Sequence, residues 1–181
     1  MFYLGWILFF GIHAGMLLPA LRSPLVQSLG EQRYKGLYSL ISLMGLALLV
    51  TGYEQGVPLP VETLELVRSS SPFWMAGAWF FILSANVPGH CRNAVKHPMT
   101  IGIALWGVGH ALLNTHLNAW LLFLGFAFFV VLSALTASSR GKVHGSKAGS
   151  LSADILAAAL AGLATWLSYR FHDVIAGVPL I

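Results

Sequence analysis

Long apolar runs, separated by short polar connections, dominate this sequence. A helix needs about 20 mostly apolar residues to cross the hydrocarbon core of a bilayer, and the runs are that long or nearly so. We therefore predict an all-α fold, a polytopic membrane helical bundle with six transmembrane helices. The predicted helices cover residues 2–21, 37–53, 72–87, 98–113, 117–137 and 151–169.

The composition agrees with a membrane protein, because 57% of the residues are hydrophobic and only 9% are charged. About a quarter of the residues of an ordinary soluble domain are charged. The connections between the runs are too short to hold a separate soluble domain. We predict a single transmembrane domain over residues 1–181, with the lipid bilayer as its surroundings.

The basic residues are placed unevenly, and their placement predicts an orientation. Cytoplasmic loops of membrane proteins carry an excess of Lys and Arg. Eight of the ten basic residues fall in the first, third and fifth predicted connections, which puts both termini outside. They are Arg22, Arg33, Lys35, Arg92, Lys96, Arg140, Lys142 and Lys147. No basic patch interleaved with aromatic residues occurs, so we predict no nucleic-acid partner.

Two histidines lie deep in the predicted helices. At about 1.5 Å per residue, His13 is about 16 Å along its helix and His110 about 18 Å, near the midplane of a bilayer about 30 Å thick. Histidine is costly there and indicates a function. Two facing imidazoles at one depth are what a haem between two helices needs, so we predict His13 and His110 as its iron ligands. The alternative is that each imidazole hydrogen-bonds a polar neighbour.

Glycines near these histidines predict close helix approach. Gly11 and Gly15 form a Gly-x-x-x-Gly frame around His13, which favours tight contact between membrane helices. His97 precedes Pro98, a residue suited to the first turn of a helix, and is expected to be an accessory position for a haem propionate or a lipid phosphate. The other histidines are expected to be solvated: His90, His116, His144 and His172.

The polar position at Ser71 and Pro72 predicts the start of the third helix, as N-cap and first turn. The single cysteine, Cys91, excludes an internal disulfide and a Cys-x-x-Cys-His haem attachment. No nucleotide-binding loop, nucleophile elbow or metalloprotease motif occurs, so hydrolysis and phosphoryl transfer have no support.

Three stretches carry a family resemblance: residues 9–19 with Phe-Phe-Gly-Ile-His and Leu-Leu-Pro, residues 34–53 with Tyr-Lys-Gly-Leu-Tyr-Ser-Leu, and residues 96–114 with Lys-His-Pro-Met. In these stretches the chain resembles the NnrU family of bacterial membrane proteins. The resemblance implies a place in the bacterial inner (cytoplasmic) membrane and an association with denitrification. It also implies kinship to the plant zeta-carotene isomerase, a haem b enzyme with histidine ligands. By these motifs His13 and His110 would bind haem b, with His97 accessory.

The first interpretation is therefore a haem b membrane protein that supports nitrite or nitric oxide reduction, and the resemblance leaves haem-dependent cis–trans isomerase chemistry open. Its partners would be components of a respiratory nitrite or nitric oxide reductase, or a polyene substrate. The alternative is a non-catalytic membrane factor that assembles such a reductase or supplies its haem. A small-solute transporter is a third interpretation, although no charged residue in mid-membrane favours ion coupling.

Overall fold

The structure, a computed structural model, describes residues 1–54, 56–137 and 148–177. Over these residues the fold is all-α, which confirms the predicted class. The helices found in them are α1 (Phe2–Gly15), α2 (Pro19–Leu29), α3 (Glu31–Thr51), α4 (Glu65–Ser84), α5 (His90–Ala94), α6 (Pro98–Leu112), α7 (Leu117–Leu135), α8 (Leu151–Arg170) and α9 (His172–Ala176).

Three of the described helices, α3, α7 and α8, are long and apolar enough to cross a membrane. The bent pair α1 and α2 makes a fourth if it is counted as one span. The prediction of six transmembrane helices was therefore too high by length and composition. Helix α6 has only 15 residues, and α4 begins with polar turns that include Glu65 and Arg68. The chain is a multi-pass membrane protein with fewer full-length spans than its apolar runs indicate.

The first predicted helix is broken in two. Helix α1 ends at Gly15 and α2 begins at Pro19, with a 90° bend between them. Proline fits the first turn of α2 because its missing N–H would have had no helical partner there. The backbone N–H groups of Leu17 and Leu18 instead bond to carbonyls three residues earlier, which closes a tight turn.

The predicted start of the third helix at Ser71 and Pro72 was wrong. Helix α4 begins at Glu65 and contains Pro72 in its interior. Proline has no N–H to bond the carbonyl of Arg68, four residues earlier. The Ser71 hydroxyl donates to that carbonyl at 2.7 Å, so the oxygen that Pro72 leaves without its helical bond is satisfied and the helix continues.

The remaining long helices lie close to their predicted positions, except that α3 begins at Glu31, six residues before the predicted start. Helix α6 starts at Pro98 with His97 as its N-cap, as predicted. Helices α7 and α8 begin at the predicted residues, Leu117 and Leu151. The short helices α5 and α9 were not predicted.

The helices form two compact units, which are described separately. In unit one, α1 packs against α3 and α7, and α2 packs against α3. The indole N–H of Trp6 donates to the carbonyl of Leu121 at 2.8 Å and ties α1 to α7. The core of unit one is apolar and centres on Phe2, Phe10 and Leu49.

Close approach of α1 to α3 takes place at Gly5. A Cβ on Gly5 would come within 2.5 Å of the backbone nitrogen of Leu49, so only glycine fits. The prediction that Gly11 and Gly15 form the contact was wrong. A Cβ on Gly11 would meet nothing within 4 Å, and one on Gly15 would only touch the side chain of Leu21 at 3.8 Å.

In unit two, α4 packs against α6 and α8, and α5 contacts α8. The carboxylate of Asp154 joins α8 to α5. It accepts hydrogen bonds from the backbone N–H of His90 at 2.9 Å, from the backbone N–H of Cys91 at 3.2 Å and from Nδ1 of His90 at 3.0 Å. The carboxylate therefore holds the connection between α4 and α6 against the start of α8.

Candidate functional site

His13 lies in the last turn of α1 and is half-buried. Its ring nitrogen Nδ1 is 2.6 Å from the carbonyl oxygen of Phe9, one turn earlier. The imidazole also lies beside the ring of Phe9, with ring centres 4.4 Å apart. One aromatic residue therefore supplies both a hydrogen-bond acceptor and a packing surface to the histidine.

His110 repeats this arrangement in unit two. It lies in the last turn of α6, is half-buried, and its Nδ1 is 2.8 Å from the carbonyl oxygen of Trp106. The imidazole and the Trp106 ring have centres 4.9 Å apart. Each of the two predicted ligand histidines thus has an aromatic residue four positions earlier in the same role.

The hydrogen bonds determine which nitrogen of each ring carries the proton. A carbonyl oxygen only accepts, so Nδ1 of both His13 and His110 donates and is protonated. In the neutral imidazole Nε2 then has a lone pair. Metal-binding histidines commonly donate their other ring N–H to a backbone carbonyl in this way, which fixes the tautomer and raises the basicity of the ligand nitrogen.

Helix α1, which carries His13, is shorter than predicted, and α6 ends one residue before its predicted end. The sequence prediction placed both imidazoles near the middle of the bilayer. In the structure each lies in the last turn of a helix of 14 or 15 residues. The predicted helix 2–21 ends early at Gly15 because the chain turns before Pro19.

The surroundings of His13 are aromatic. The ring of Tyr38, from α3, and the ring of Phe129, from α7, approach the imidazole edge-on with centres at 5.4 and 5.5 Å. Together with Phe9 they bring all three long helices of unit one to this residue. The imidazole is held among rings in a region where the packing is apolar.

The surroundings of His110 include a second imidazole. His172, from α9, has its ring nearly parallel to that of His110, with an angle of 20° between the planes and 6.5 Å between the centres. Trp74, from α4, covers the backbone beside His110 so closely that a Cβ on Gly109 would overlap its ring. Helices α4, α6 and α9 therefore meet at this site.

The prediction that His172 is solvated was wrong, since it is half-buried beside His110. Sequence reasoning missed it because it follows the last predicted helix, in a short segment without apolar periodicity. Its contact with His110 joins residues far apart in the chain, and no local pattern indicates such a contact.

Comparison with known protein families identifies the chain. A family model described as NnrU protein matches residues 1–180. The chain belongs to the NnrU family. No curated protein and no solved structure matches it.

The three histidines singled out in this NnrU protein do not all lie together. His97 caps the start of α6, about 20 Å from His110 at about 1.5 Å per residue. His13 belongs to unit one and His110 to unit two. The structure therefore brings His110 together with His172 and not with His97.

The other histidines of this NnrU protein have different positions. His90 is exposed and bonded to Asp154. His116 is half-buried at the start of α7, where its backbone pairs with that of Pro58 in a single antiparallel β-bridge. His144 lies outside the described residues. The prediction of solvated histidines thus agrees with the exposure of His90 but not with the half-buried His116.

The donor set of the described residues can be compared with what different metal sites need. No three His, Cys, Asp or Glu residues among those the structure describes are grouped to hold a metal ion together. A haem iron needs only one or two protein ligands, because the macrocycle supplies its other donors. Neutral imidazoles whose Nδ1–H donates to a carbonyl and that have aromatic neighbours, as at His13 and His110, fit that requirement.

Proposed function

We propose that this NnrU protein is a haem b protein of the membrane in which His13 and His110 supply imidazole ligands. One observation carries the proposal: both imidazoles donate Nδ1–H to the carbonyl four residues earlier and pack on the aromatic ring of that residue. Both therefore present Nε2 in the form that coordinates iron. Neither needs a change of tautomer to bind.

The protein's own contribution is to orient the imidazoles and to exclude water. Aromatic rings pack around His13, and Trp74 and Trp106 pack at the His110 turn. Bound haem b would supply one-electron chemistry. The side chains beside His13 are aromatic, which favours an apolar substrate over a charged one.

The biological role that we propose follows the family resemblance. It is support of denitrification, at the reduction of nitrite or nitric oxide. Cis–trans isomerisation of a polyene is proposed with it, because such a substrate is apolar and matches the aromatic surroundings of His13. Reductase components or the polyene would be the partners.

We also propose that the protein lies in the bacterial inner membrane with both termini outside. Eight of its ten Lys and Arg residues belong to the connections around residues 22–35, 92–96 and 140–147, which the positive-inside rule assigns to the cytoplasm. This orientation requires α4 and α6 to cross the membrane too, as helices that are shorter or more polar than the full-length spans. Cysteine labelling from the outside should therefore reach position 62 and not position 35. The reverse labelling pattern would contradict the orientation.

The experiment that tests haem binding is an optical spectrum with a quantitative haem assay on the purified protein. We expect the sharp bands of low-spin haem b on reduction. His13→Ala and His110→Ala should each lose haem or lose the six-coordinate spectrum. His97→Ala is the comparison variant, because His97 lies at the other end of α6. It should keep the six-coordinate spectrum, since its proposed role is at a haem propionate and not at the iron.

Two results would contradict the proposal. One is a folded wild-type protein, expressed with an ample haem supply, that contains no haem. The other is a haem spectrum that survives in both His13→Ala and His110→Ala. If His97→Ala loses as much haem as His110→Ala, then the wrong residue of α6 has been proposed as the iron ligand.

A further inference from the structure

In α9 the histidine is more buried than the aliphatic residues. Helix α9 is described throughout, and His172 is its half-buried residue while the aliphatic side chains beside it point outward. Val174 is 78% exposed and Ile175 is 71% exposed. Aliphatic side chains of a membrane protein lose nothing when they face lipid, so the exposure of Val174 and Ile175 does not by itself orient α9. The observation that places the imidazole of His172 is its contact with the ring of His110.

A buried hydrogen bond fixes the end of α8 just before His172. Ser71 of α4 is buried, and its hydroxyl oxygen is 2.7 Å from the hydroxyl oxygen of Tyr169. The Ser71 hydrogen is already donated to the carbonyl of Arg68, so Tyr169 is the donor in this second bond. Tyr169 therefore anchors α8 to α4 three residues before His172.

Helix α4 also reaches the turn that carries His110. Three residues after Ser71, Trp74 of α4 packs on Gly109 of α6. The bond between Ser71 and Tyr169 thus lies in sequence next to both Trp74 and His172, two of the neighbours of His110. Anchoring α8 to α4 at this point holds His172 beside the imidazole of His110.

We propose that His172 is a positioning residue for His110, with its near-parallel ring limiting the rotation of the His110 imidazole. The χ2 angle of histidine is broad, so the hydrogen bond from Nδ1 to the carbonyl of Trp106 leaves the ring plane incompletely defined. Trp106 restricts that plane from the same helix, and His172 restricts it from α9.

This inference rests on the proposed haem function and deepens it. If His110 binds iron, the orientation of its ring plane sets the overlap between the imidazole and the iron. Residues that orient a ligand typically change metal affinity by about 10- to 100-fold when they are replaced. His172 then affects how firmly haem is held and how uniform the iron site is, without touching the iron.

The experiment compares His172→Ala with His172→Phe in the purified haem protein. The alanine variant should broaden and shift the largest g value in the electron paramagnetic resonance spectrum of the ferric protein. It should also release haem to apomyoglobin about tenfold faster, the lower end of the range for residues that orient a ligand. The phenylalanine variant keeps a flat ring at this position and should restore both properties. Tyr169→Phe, which removes the anchor, should change them in the same direction as alanine by a smaller factor.

Val174→Ala is the matched control, since Val174 lies in the same short helix with an exposed side chain, and it should leave both properties unchanged. A wild-type spectrum and release rate in His172→Ala would overturn the inference. So would a phenylalanine variant as defective as the alanine variant, because the imidazole nitrogens and not the ring plane would then matter.

A wild-type protein without haem would contradict the proposed function. The contact between His172 and His110 is then tested directly by nuclear magnetic resonance. The ring nitrogen and carbon signals of His110 in labelled protein should then shift in His172→Ala and stay close to wild type in His172→Phe. Unchanged His110 signals in His172→Ala would overturn the inference independently of haem.

Discussion

His13 and His110 share one local arrangement and differ in everything beyond it. Each donates Nδ1–H to a carbonyl one turn earlier and packs on the ring of that residue. Around His13 the other neighbours in unit one are aromatic rings on α3 and α7. Around His110 the neighbours in unit two include an imidazole, and a buried hydroxyl pair anchors the helix that precedes it.

The comparison shows that the tautomer of each imidazole and the packing of its ring have different structural causes. The tautomer of each imidazole comes from its own helix, through the residue four positions earlier. The same residue supplies one packing surface, and the other rings around each imidazole come from other helices, which differ between the units. Changes at those other helices should therefore alter one histidine and leave the other unchanged.

The largest expected effect is at the backbone beside His110. Gly109→Ala places a Cβ in the ring of Trp74 and should destabilise unit two by about 3 kcal/mol, the upper part of the range for overpacking. Gly11→Ala, near His13, meets nothing and should be neutral or slightly stabilising, because alanine favours helix over glycine. Thermal unfolding in detergent measures both. Equal losses would show that the backbone beside His13 is as closely covered as that beside His110.

A smaller effect is expected from Ser71→Ala. It removes the bond to the carbonyl of Arg68 and the acceptor of Tyr169, and should cost about 1–2 kcal/mol because buried polar groups lose their partners. The nuclear magnetic resonance signals of the His110 ring should change, while those of the His13 ring should not. Ser69→Ala is the control, since its exposed hydroxyl bonds only within its own helix. A change at His13 of similar size would remove the distinction between the two sites.

The smallest effect is expected from Tyr38→Phe in unit one. The contact of Tyr38 with His13 is made by ring edges, and phenylalanine keeps the ring. The free energy of unfolding should change by less than about 1 kcal/mol, and the His13 signals should stay in place. A large shift of His13 in this variant would mean that the site in unit one also depends on a polar group.

The sequence predicted the parts of the fold that have local causes. Pro98 marks the start of α6 because proline suits a first turn, and the structure has the helix begin there. The same rule failed at Pro72, where the Ser71 hydroxyl bonds the carbonyl that proline leaves without its helical partner. The sequence also did not predict the bend before Pro19, because apolar residues continue across the break between α1 and α2.

The candidate site could be predicted only in part for the same reason. His13 and His110 stand out because histidine is costly in an apolar helix. His172 lies after the last long helix, and its place beside His110 depends on the bond between Tyr169 and Ser71. That bond joins two hydroxyl residues 98 positions apart, which no periodicity or spacing rule indicates.

The most direct test of the central claim is ¹⁵N nuclear magnetic resonance of the reduced protein in lipid bilayers, with the histidine ring nitrogens labelled. Signals are assigned to His13 and His110 by their loss in the His13→Gln and His110→Gln variants. We expect both rings to carry their proton on Nδ1, which leaves Nε2 unprotonated, the form that coordinates iron. A proton on Nε2 of either ring would contradict the proposed function, because that nitrogen could not then coordinate a metal.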